Sequence, residues 1–354
     1  AQALSGVYDV EIIGTSRRGG TWAPMDHFKI PVKEFMWDRY PNFSKIKKNI
    51  LDAIDGDIIL ASKLMPTSFG IGLQKKASSG KPLIVDIDDW ELGFFYHSGF
   101  WGRVGRFLNF SNPNGLPYVW RMDRLVGYAD AVSVSNRFLQ KKFGGVLLPH
   151  CRDTTVLDPL KFNPNKIKEK MGFKNKKVVM FLGTPRPHKG VDDLLTAFKI
   201  IDNPDLNLAI IGADNHQEFL ERIDRSIRHR VVVLPKMSFD KLPELLSAAD
   251  IIAIPQRRTS DSIGQIPARL FDAMSMGKPI IATRVSDIPE VLDGCGYLVD
   301  PNQPAQLAEA IEYILNHLDE ARAKGQTARE RCQRMYDISN LEFGLSKLME
   351  KVLA

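Results

Sequence analysis

The chain has 354 residues, of which 44% are hydrophobic, and a formal net charge of +6. This length and composition exclude a disordered tail or a fibre and leave room for two domains. The sequence contains no run near the roughly 18 apolar residues of a membrane span and no signal peptide, so we expect a cytoplasmic protein. The wide spacing of Cys151, Cys295 and Cys332 indicates reduced thiols rather than disulfides or a metal site.

The N-terminal half begins with a predicted helix end at residues 1–6 and a strand at 8–13. A doubly wound α/β domain normally opens with a strand and a tight glycine turn, and the sequence shows neither. We therefore expect that the first strand of this domain is missing and that residues precede Ala1. Arg17 and Arg18 lie in a glycine-containing turn that could reach a phosphate, but a solvated turn is favoured and we assign it no role.

Acidic residues crowd the end of a predicted strand at 83–87, where Asp88, Asp89 and Glu91 follow an apolar run. Acids at the carboxyl end of a buried strand are costly unless they are solvated, paired or used in chemistry. This stretch is the best site candidate of the N-terminal half, and a set of helix-capping acids is the alternative. Further strands are predicted at 57–61, 129–135 and 146–149, and helices near 43–54 and 121–128.

Residues 100–110 mix aromatic and basic side chains, among them Trp101, Arg103 and Arg106. The wider segment 101–142 holds seven basic residues against two acidic ones. This composition fits a peripheral membrane contact through residues 100–125, which would associate a cytoplasmic protein with a membrane. The alternative, which the sequence favours slightly, is that the apolar positions pack on the core.

From Lys177 onward, short apolar runs alternate regularly with amphipathic stretches. This alternation predicts a parallel sheet with helices on both faces. Arg186 and Lys189 lie in a loop between a strand and a helix, a combination that suits a diphosphate, although basic loop residues are usually solvated. The predicted strands lie at 178–182, 206–212, 231–235, 250–255 and 279–283, and the predicted helices at 191–201, 216–227 and 238–249.

Residues 261–279 are predicted to form a loop, a helix and the start of a strand. Pro267 suits the first helical turn, and Gly277 suits the left-handed position just past the helix end. In open parallel sheets, ligands bind beyond the carboxyl ends of the strands, where helix N-termini offer free N–H groups. Asp272 lies inside this helix and could accept hydrogen bonds from sugar hydroxyls; a solvated helical acid is the alternative.

The order of these segments resembles the C-terminal domain of the GT-B glycosyltransferases, specifically family 4, the group 1 retaining enzymes. The resemblance covers about residues 177–316 and extends more loosely to the N-terminal half through 129–131, Pro149 and Asp153. The matching segments are Phe181-Leu182-Gly183 with Lys189-Gly190, Ile210-Ile211-Gly212, 248–255, Phe271-Asp272-Ala273-Met274 with 277–282, and Ile288-Pro289-Glu290 with 296–299.

The resemblance implies two Rossmann-like, doubly wound parallel-sheet domains that face a cleft. An acceptor-side domain would cover residues 1–157 and a nucleotide-sugar-binding domain residues 158–336, with a helix at 337–354 crossing back to the first. The implied reaction moves a sugar from a nucleotide-diphosphate-sugar to a glycan, lipid-linked or small-molecule acceptor with retention. The resemblance implies no metal, no cofactor besides the donor substrate and no protein nucleophile, and we expect no nucleic-acid partner.

Carried over by position, Lys189 would bind the donor diphosphate with help from Arg186, and Thr184 stands where the family has an arginine. Asp272 replaces the second glutamate of the family's E-x7-E motif, which holds the ribose. Gly264 replaces the first glutamate, which touches the transferred sugar. Asp261 or Gln265 could supply that contact instead.

Two further positions carry over with changes. Arg269, two residues after Pro267, matches a P-x-(K/R) variant that occurs in the family beside a missing first glutamate. Asp88 takes the place of an N-domain histidine near the anomeric carbon, and it can donate a hydrogen bond only when it is protonated. The predicted catalytic residues are Asp88, Lys189 and Arg186, and the predicted donor-binding residues are Gly183, Thr184, Lys189, Pro235, Asp261, Gly264, Gln265, Ile266, Pro267, Arg269 and Asp272.

Other functions were weighed against this one. A nucleotide-sugar epimerase shares the GT-B layout, and a non-catalytic sugar-binding or regulatory subunit is favoured by the missing first glutamate. An NAD-dependent oxidoreductase would need a G-x-G-x-x-G motif after a strand, which this sequence lacks. The donor base stays open, because its recognition in such sites is largely through backbone atoms around 234–236.

Overall fold

The computed structural model describes residues 1–16, 30–96 and 99–353, so the turn with Arg17 and Arg18 lies outside the described residues. Contacts divide the chain into two compact units. The boundary falls after Pro149, earlier than the predicted position after residue 157. The first unit comprises Ala1–Pro149, Thr259–Gln265 and Ser339–Ala354, and the second comprises His150–Arg258 and Ile266–Ile338.

The strands of the first unit form two parallel sheets. They are β1 (Ile12–Ser16), β2 (Val32–Met36), β3 (Ile59–Ser62), β4 (Leu83–Ile87), β5 (Ala131–Val134) and β6 (Val146–Leu147). β1 pairs with β2, and β3 to β6 form a four-stranded sheet in sequence order. Leu83, Ile84 and Val85 of β4 are fully buried, as expected for a parallel strand covered on both faces.

Several helices of the first unit before residue 150 pack around this sheet. Phe69 and Met122, from two of these helices, pack with Leu83 and Val85 in one hydrophobic cluster. The helices are α1 (Phe43–Ala53), α2 (Phe69–Ser79), α3 (Glu91–Tyr96), α4 (Phe100–Phe107), α5 (Leu116–Leu125) and α6 (Arg137–Phe143).

The second unit contains a six-stranded parallel sheet with the order β12-β11-β10-β7-β8-β9. Its strands are β7 (Lys177–Leu182), β8 (Leu206–Ile211), β9 (Val231–Leu234), β10 (Ile251–Ile254), β11 (Ile280–Thr283) and β12 (Tyr297–Val299). The strand order reverses between β7 and β10, which are neighbours. In doubly wound sheets the loops that follow such a pair of strands border the ligand-binding crevice.

Helices cover both faces of this sheet. Alternate residues of β7 enter opposite layers: Val178 and Met180 pack in one hydrophobic cluster, and Val179 and Phe181 pack in the other. The helices are α7 (Pro164–Lys170), α8 (Val191–Ile200), α9 (His216–Glu221), α10 (Arg225–Arg228), α11 (Leu242–Ser247), α12 (Ala268–Ser275), α13 (Ile288–Val291), α14 (Pro304–Asn316) and α15 (Leu318–Met335).

The last helix, α16 (Ile338–Leu353), packs on the first unit. Its residues Leu345 and Leu348 share a hydrophobic cluster with Leu4 and Ile84. Among the described helices of both units, none combines the length and the apolar character that crossing a bilayer requires.

Several local predictions were wrong. The first strand begins at Ile12 instead of residue 8, and residues 1–6 form turns rather than a helix. The predicted helices at 216–227 and 238–249 are each interrupted, the first forming α9 and α10 and the second a 3-10 turn (Phe239–Lys241) followed by α11. The favoured packing of the aromatic–basic stretch on the core is wrong for α4, none of whose residues is buried.

Candidate functional site

The loop after β7 brings the backbone close to a neighbouring strand end. Gly183 has φ +110°, and Gly212, at the end of β8, has φ +112°. A Cβ on Gly212 would lie 2.9 Å from the carbonyl carbon of Gly183, so the two backbones touch and only glycine fits. This close packing leaves the space beyond β7 open to side chains from elsewhere.

Two cationic side chains converge on Gly183. Lys189 Nζ and Arg269 Nη1 each lie 3.4 Å from the position that a Cβ on Gly183 would occupy. Lys189 comes from the 3-10 turn Pro187–Lys189 in the β7–α8 loop, and Arg269 comes from the first turn of α12. We call Gly183, Lys189 and Arg269 the cation pair site.

Arg269 is held in place by the end of β7. Its Nη1 donates a hydrogen bond of 2.7 Å to the carbonyl oxygen of Leu182, and its guanidinium lies 4.6 Å from the centroid of the Phe181 ring. The side chain is buried, and the residue is only 7% exposed. Arginine stacks readily on aromatic rings, so Phe181 and Leu182 at the end of β7 orient the guanidinium group of Arg269.

Burial removes the guanidinium group of Arg269 from water and changes its pKa. Burial lowers the pKa of its guanidinium to about 10, an effect that Asp272 partly opposes. Nε and Nη2 of Arg269 are buried, and neither atom donates a hydrogen bond to an acceptor among the described residues. Leaving buried charged donors unsatisfied is costly. An anion with several oxygen atoms would remove that cost.

The loop that carries Lys189 is fixed by contacts at its far end. Gly190 has φ +68°, and a Cβ there would collide with the carbonyl oxygen of Pro255. Arg257 donates from its backbone N to the carbonyl oxygen of His188 at 2.8 Å and forms a bidentate pair with Asp193 at 2.7 and 2.6 Å. The β7–α8 loop is therefore tied to the end of β10.

Asp272 is buried one turn further along α12, where it forms an ion pair with Arg152 Nε. Arg152 also donates to the carbonyl oxygens of Ala268 at 3.0 Å and Cys151 at 2.8 Å. The predicted alternative of a solvated helical acid is wrong, because Asp272 is only 5% exposed. Sequence reasoning missed Arg152, although it lies just after the strand predicted at 146–149.

The other predicted residues of the second unit differ in their exposure and packing. Arg186 and Pro235 are exposed, and Thr184 is half-buried. The side chain of Ile266 packs in the hydrophobic core, and Pro267 is the N-cap residue of α12. Of the predicted donor-binding set, the structure thus gathers Gly183, Lys189 and Arg269 most closely.

Thr259–Gln265 belongs to the first unit, and Gly264 is enclosed there. A Cβ on Gly264 would lie 2.5 Å from Cβ of Trp90, so no larger side chain fits without movement. Its carbonyl oxygen accepts hydrogen bonds from Trp90 N and Asn136 Nδ2, both at 3.2 Å. Replacement of the family's first glutamate by glycine therefore matches the local packing.

The two polar neighbours of Gly264 are also engaged within the first unit. Gln265 Nε2 donates to Asp89 Oδ1 at 2.7 Å. Asp261 is buried and accepts a hydrogen bond from the hydroxyl of Thr259. The bond from Gln265 ties the segment to the acidic end of β4, and the bond to Asp261 lies within the segment.

The acids after β4 surround Lys63, which sequence reasoning did not single out. Lys63 Nζ lies 2.9 Å from Asp89 Oδ2, 3.3 Å from Asp88 Oδ1 and 3.3 Å from Glu91 Oε1. The three acids offer oxygens within 4.8 Å of one another, a geometry that suits a cation, and the ammonium group takes that place. We call these four residues the acid–lysine cluster. The acids thus form an ion-pair network with Lys63, and Glu91 also lies in the first turn of α3, as the capping interpretation expects.

Burial and charge act against each other in the acid–lysine cluster. Burial and the neighbouring Asp89 raise the pKa of Asp88, while Lys63 opposes them. Burial also raises the pKa of Glu91, again against the effect of Lys63. Burial lowers the pKa of Lys63, but the three carboxylates outweigh it and the pKa rises. The cluster is thus held by one internal countercharge.

The backbone explains why Lys63 reaches this place. Lys63 directly follows β3 and has φ +72°, and its backbone N donates to the carbonyl oxygen of Asp86 at 2.8 Å. Because β3 and β4 are parallel neighbours, their carboxyl ends meet at one edge of the sheet. The signal available in the sequence was a basic residue at the end of the strand before the acids.

The sequence model of the family described as "Glycosyl transferases group 1" matches residues 163–331. An uncharacterized glycosyltransferase of Methanocaldococcus jannaschii is 28% identical over 177 residues, 49% of this chain and 48% of that protein. The GDP-mannose-dependent alpha-(1-6)-phosphatidylinositol monomannoside mannosyltransferase of Mycolicibacterium smegmatis is 28% identical over 225 residues, 58% of either chain. The chain spans about half the length of the curated relatives it matches.

Among solved structures, the crystal structure of Anabaena HepE in complex with UDP-glucose matches with a TM-score of 0.76 and 16% identity, covering 96% of this chain and 99% of that one. These findings confirm the predicted fold class and the group 1 resemblance, while family 4 and retention stay predictions. The chain has the GT-B fold, and its residues 163–331 match the sequence model of the glycosyltransferase group 1 family.

Proposed function

We propose that this protein transfers a sugar from a nucleotide-diphosphate-sugar to an acceptor. The observation that carries the proposal is the cation pair site, where Lys189 and the partly unsatisfied Arg269 meet beside Gly183 at the end of β7. A diphosphate offers the oxygen acceptors that Nε and Nη2 of Arg269 lack among the described residues. The group 1 domain and the fold support the same assignment.

The proposed chemistry follows from charge. As the bond between the anomeric carbon and the diphosphate oxygen breaks, negative charge grows on the leaving diphosphate, and fixed cations stabilise it. Lys189 and Arg269 supply that charge, so the proposed reaction needs no metal. We propose retention without a protein nucleophile, in which the acceptor oxygen bonds to the anomeric carbon and its proton passes to a diphosphate oxygen. Arg186 remains a proposed helper.

Two acids, the buried Asp272 and the half-buried Asp88, have proposed roles in holding the donor. Asp272 accepts from Arg152 and would also accept from a ribose hydroxyl, since a carboxylate has several acceptor sites. By the resemblance, Asp88 would hydrogen-bond the transferred sugar, and as a carboxylate paired with Lys63 it would do so as an acceptor. The acceptor class, whether glycan, lipid-linked or small molecule, stays open in this proposal.

The donor base is also left to experiment. HepE was crystallised with UDP-glucose, and the mycobacterial relative is described as GDP-mannose-dependent. These two descriptions differ in both base and sugar. A panel of uridine and guanosine diphosphate sugars is therefore the appropriate set of substrates.

A second candidate function is a sugar-nucleotide-binding subunit without turnover. The observation that favours it is Gly264, where the resemblance places a glutamate that touches the transferred sugar and where the packing leaves no room for one. Such a subunit would bind the donor through the cation pair site and release no nucleotide. An epimerase would instead interconvert donor sugars without any acceptor.

The test is release of nucleoside diphosphate from the donor panel, with and without a mixture of glycan, lipid-linked and small-molecule acceptors. We expect acceptor-stimulated release with at least one donor. Donor binding without release would favour the non-catalytic subunit, and a changed donor sugar without acceptor would favour the epimerase. Neither binding nor release of any donor would contradict the proposal.

A further inference from the structure

The apolar face of helix α4 is exposed on the surface of the first unit. Phe100, Val104 and Phe107 recur at i, i+4 and i+7, so they lie on one side of the helix. Such a face normally packs on a core. Here no residue of α4 is buried; Phe100 is 65% exposed and Trp101, at the border of the face, is 81% exposed.

The apolar face continues past the end of α4. Leu108 is 63% exposed and Phe110 is 51% exposed. Phe107 and Phe110 contact each other edge to face, with ring centroids 6.2 Å apart. Large apolar side chains exposed singly are ordinary, but a contiguous set marks an interaction surface.

The charged residues of the segment 99–129 are mostly basic. Arg103 lies at its edge, and α5, which packs beside α4, exposes Arg121 and Arg124. Asp123 is the only acid in residues 99–129, and it is already paired with Lys142 at 3.0 Å. The face therefore combines exposed aromatic rings with basic residues.

We propose that this surface docks the protein onto a membrane that contains anionic lipids. It is formed by Phe100, Trp101, Arg103, Phe107, Leu108 and Phe110, and we call it the aromatic–basic surface. The apolar side chains enter the boundary between headgroups and acyl chains, and the arginines contact lipid phosphates. The proposal does not depend on the proposed enzymatic function, because docking requires no donor.

Charge complementarity decides for a membrane over a protein partner. Aromatic side chains favour the membrane–water interface, and each basic residue near an anionic leaflet strengthens binding. A helix with rings on one face and arginines at its edges is the pattern of an interfacial helix. Trp101 and Phe100 are too exposed to lie in a groove. Rings that protrude in this way can insert between lipids.

The experiment is flotation of the whole chain with vesicles of phosphatidylcholine alone and with vesicles that also contain phosphatidylglycerol. We expect flotation with the anionic vesicles, weak flotation with the neutral ones, and loss of binding in high salt. Arg103→Gln should weaken partitioning roughly fivefold. Trp101→Ala combined with Phe107→Ala should weaken it by roughly tenfold per ring removed.

Phe343→Ala is the matched control, because Phe343 is an aromatic residue of α16 in the same unit and is 66% exposed. It should float like the unsubstituted protein. All variants change exposed side chains, so their unfolding midpoints should be equal. Failure of the unsubstituted protein to float with anionic vesicles would overturn the proposal, and so would full flotation of the Trp101→Ala, Phe107→Ala variant. Self-association that the same variant abolishes, without flotation, would overturn it in favour of a contact between copies of the chain.

Discussion

The carboxyl ends of the two main parallel sheets carry opposite charges. In the first unit, the ends of β3 and β4 bring three acids around Lys63. In the second unit, the end of β7 and the start of α12 bring Lys189 and Arg269 to Gly183. Both clusters lie where parallel sheets bind ligands. They differ in how far their own side chains satisfy them.

The acid–lysine cluster contains its own countercharge, with Lys63 Nζ 3.3 Å from Asp88 Oδ1, although that oxygen makes no hydrogen bond among the described residues. Arg269 keeps two buried donor atoms without an acceptor there. Buried polar groups in folded proteins are almost always hydrogen-bonded, so two unsatisfied donors on one buried guanidinium favour a ligand there. Charge at a strand end is therefore a weaker indicator of a binding site than unsatisfied charge. Substitutions in the two clusters should therefore differ in their effects on activity and on stability.

The largest expected effect is on turnover. Lys189→Ala should lower kcat/KM for the donor by about 10²–10³-fold, because the lysine stabilises charge that grows in the transition state. The control is Lys176→Ala, since Lys176 forms a surface pair with Asp205 just before β7. Initial rates of nucleoside diphosphate release would measure both. Equal rates for the two variants would remove Lys189 from the reaction.

The acid–lysine cluster should respond in stability. Lys63→Met leaves Asp88, Asp89 and Glu91 without their countercharge and should lower the free energy of unfolding by about 1–3 kcal/mol. This is below the cost of breaking a fully buried pair, because the Lys63 side chain is 38% exposed. Chemical denaturation would measure the loss. Lys33→Met, which removes the partner of Glu11 on the surface of the same unit, should leave stability unchanged.

The pH dependence of this loss has a definite sign. The pKa values of Asp88 and Glu91 are already raised by burial, and Lys63 lowers both. Without Lys63 both pKa values rise further, so the folded state takes up protons as the pH falls and the repulsion is relieved. The destabilisation by Lys63→Met should therefore be smaller at about pH 5 than at about pH 8. A loss that grows on acidification would contradict this account of the cluster.

The smallest expected effect concerns the stability of the cation pair site. Arg269→Met should leave the free energy of unfolding unchanged or raise it by about 1 kcal/mol, because it removes a desolvated charge at the cost of one hydrogen bond to Leu182. Donor affinity should fall in the same variant. A clear loss of stability would identify Arg269 as a structural residue.

A second substitution sharpens this result. Thr184 follows Gly183 directly, at the position of the family's arginine. Thr184→Arg in the Arg269→Met background should recover part of the donor affinity, since it returns a guanidinium to the same strand end. Thr184→Gln, which adds a neutral side chain of similar reach, should not.

The sequence predicted the second sheet well because its strands are buried on both faces. A strand such as β7 is a continuous apolar run, which periodicity identifies directly. The first strand was misplaced for a physical reason. Tyr8 and Val10 supply apolar alternation, but they pack against the cluster that contains Leu345 and Leu348 of α16 instead of forming a ladder.

The site was less visible in the sequence because its partners are remote. Lys63 lies 26 residues from Asp89, and Arg152 lies 120 residues from Asp272. Motif spacing drew attention to Lys189 and Asp272 but carries no information on which side chains pair. The burial of Arg269 was equally hidden, because charged residues are ordinarily expected on the surface.

The central claim is that Lys189 and Arg269 form a diphosphate site, and calorimetric titration of nucleotides tests it most directly. Matched nucleoside monophosphates and diphosphates would be titrated into the unsubstituted protein, Lys189→Ala and Arg269→Met. We predict that the unsubstituted protein binds the diphosphate of its preferred base more tightly than the monophosphate by at least about tenfold, and that each variant loses most of this difference. Equal affinity for the two nucleotides in the unsubstituted protein, or an undiminished preference in both variants, would contradict the account.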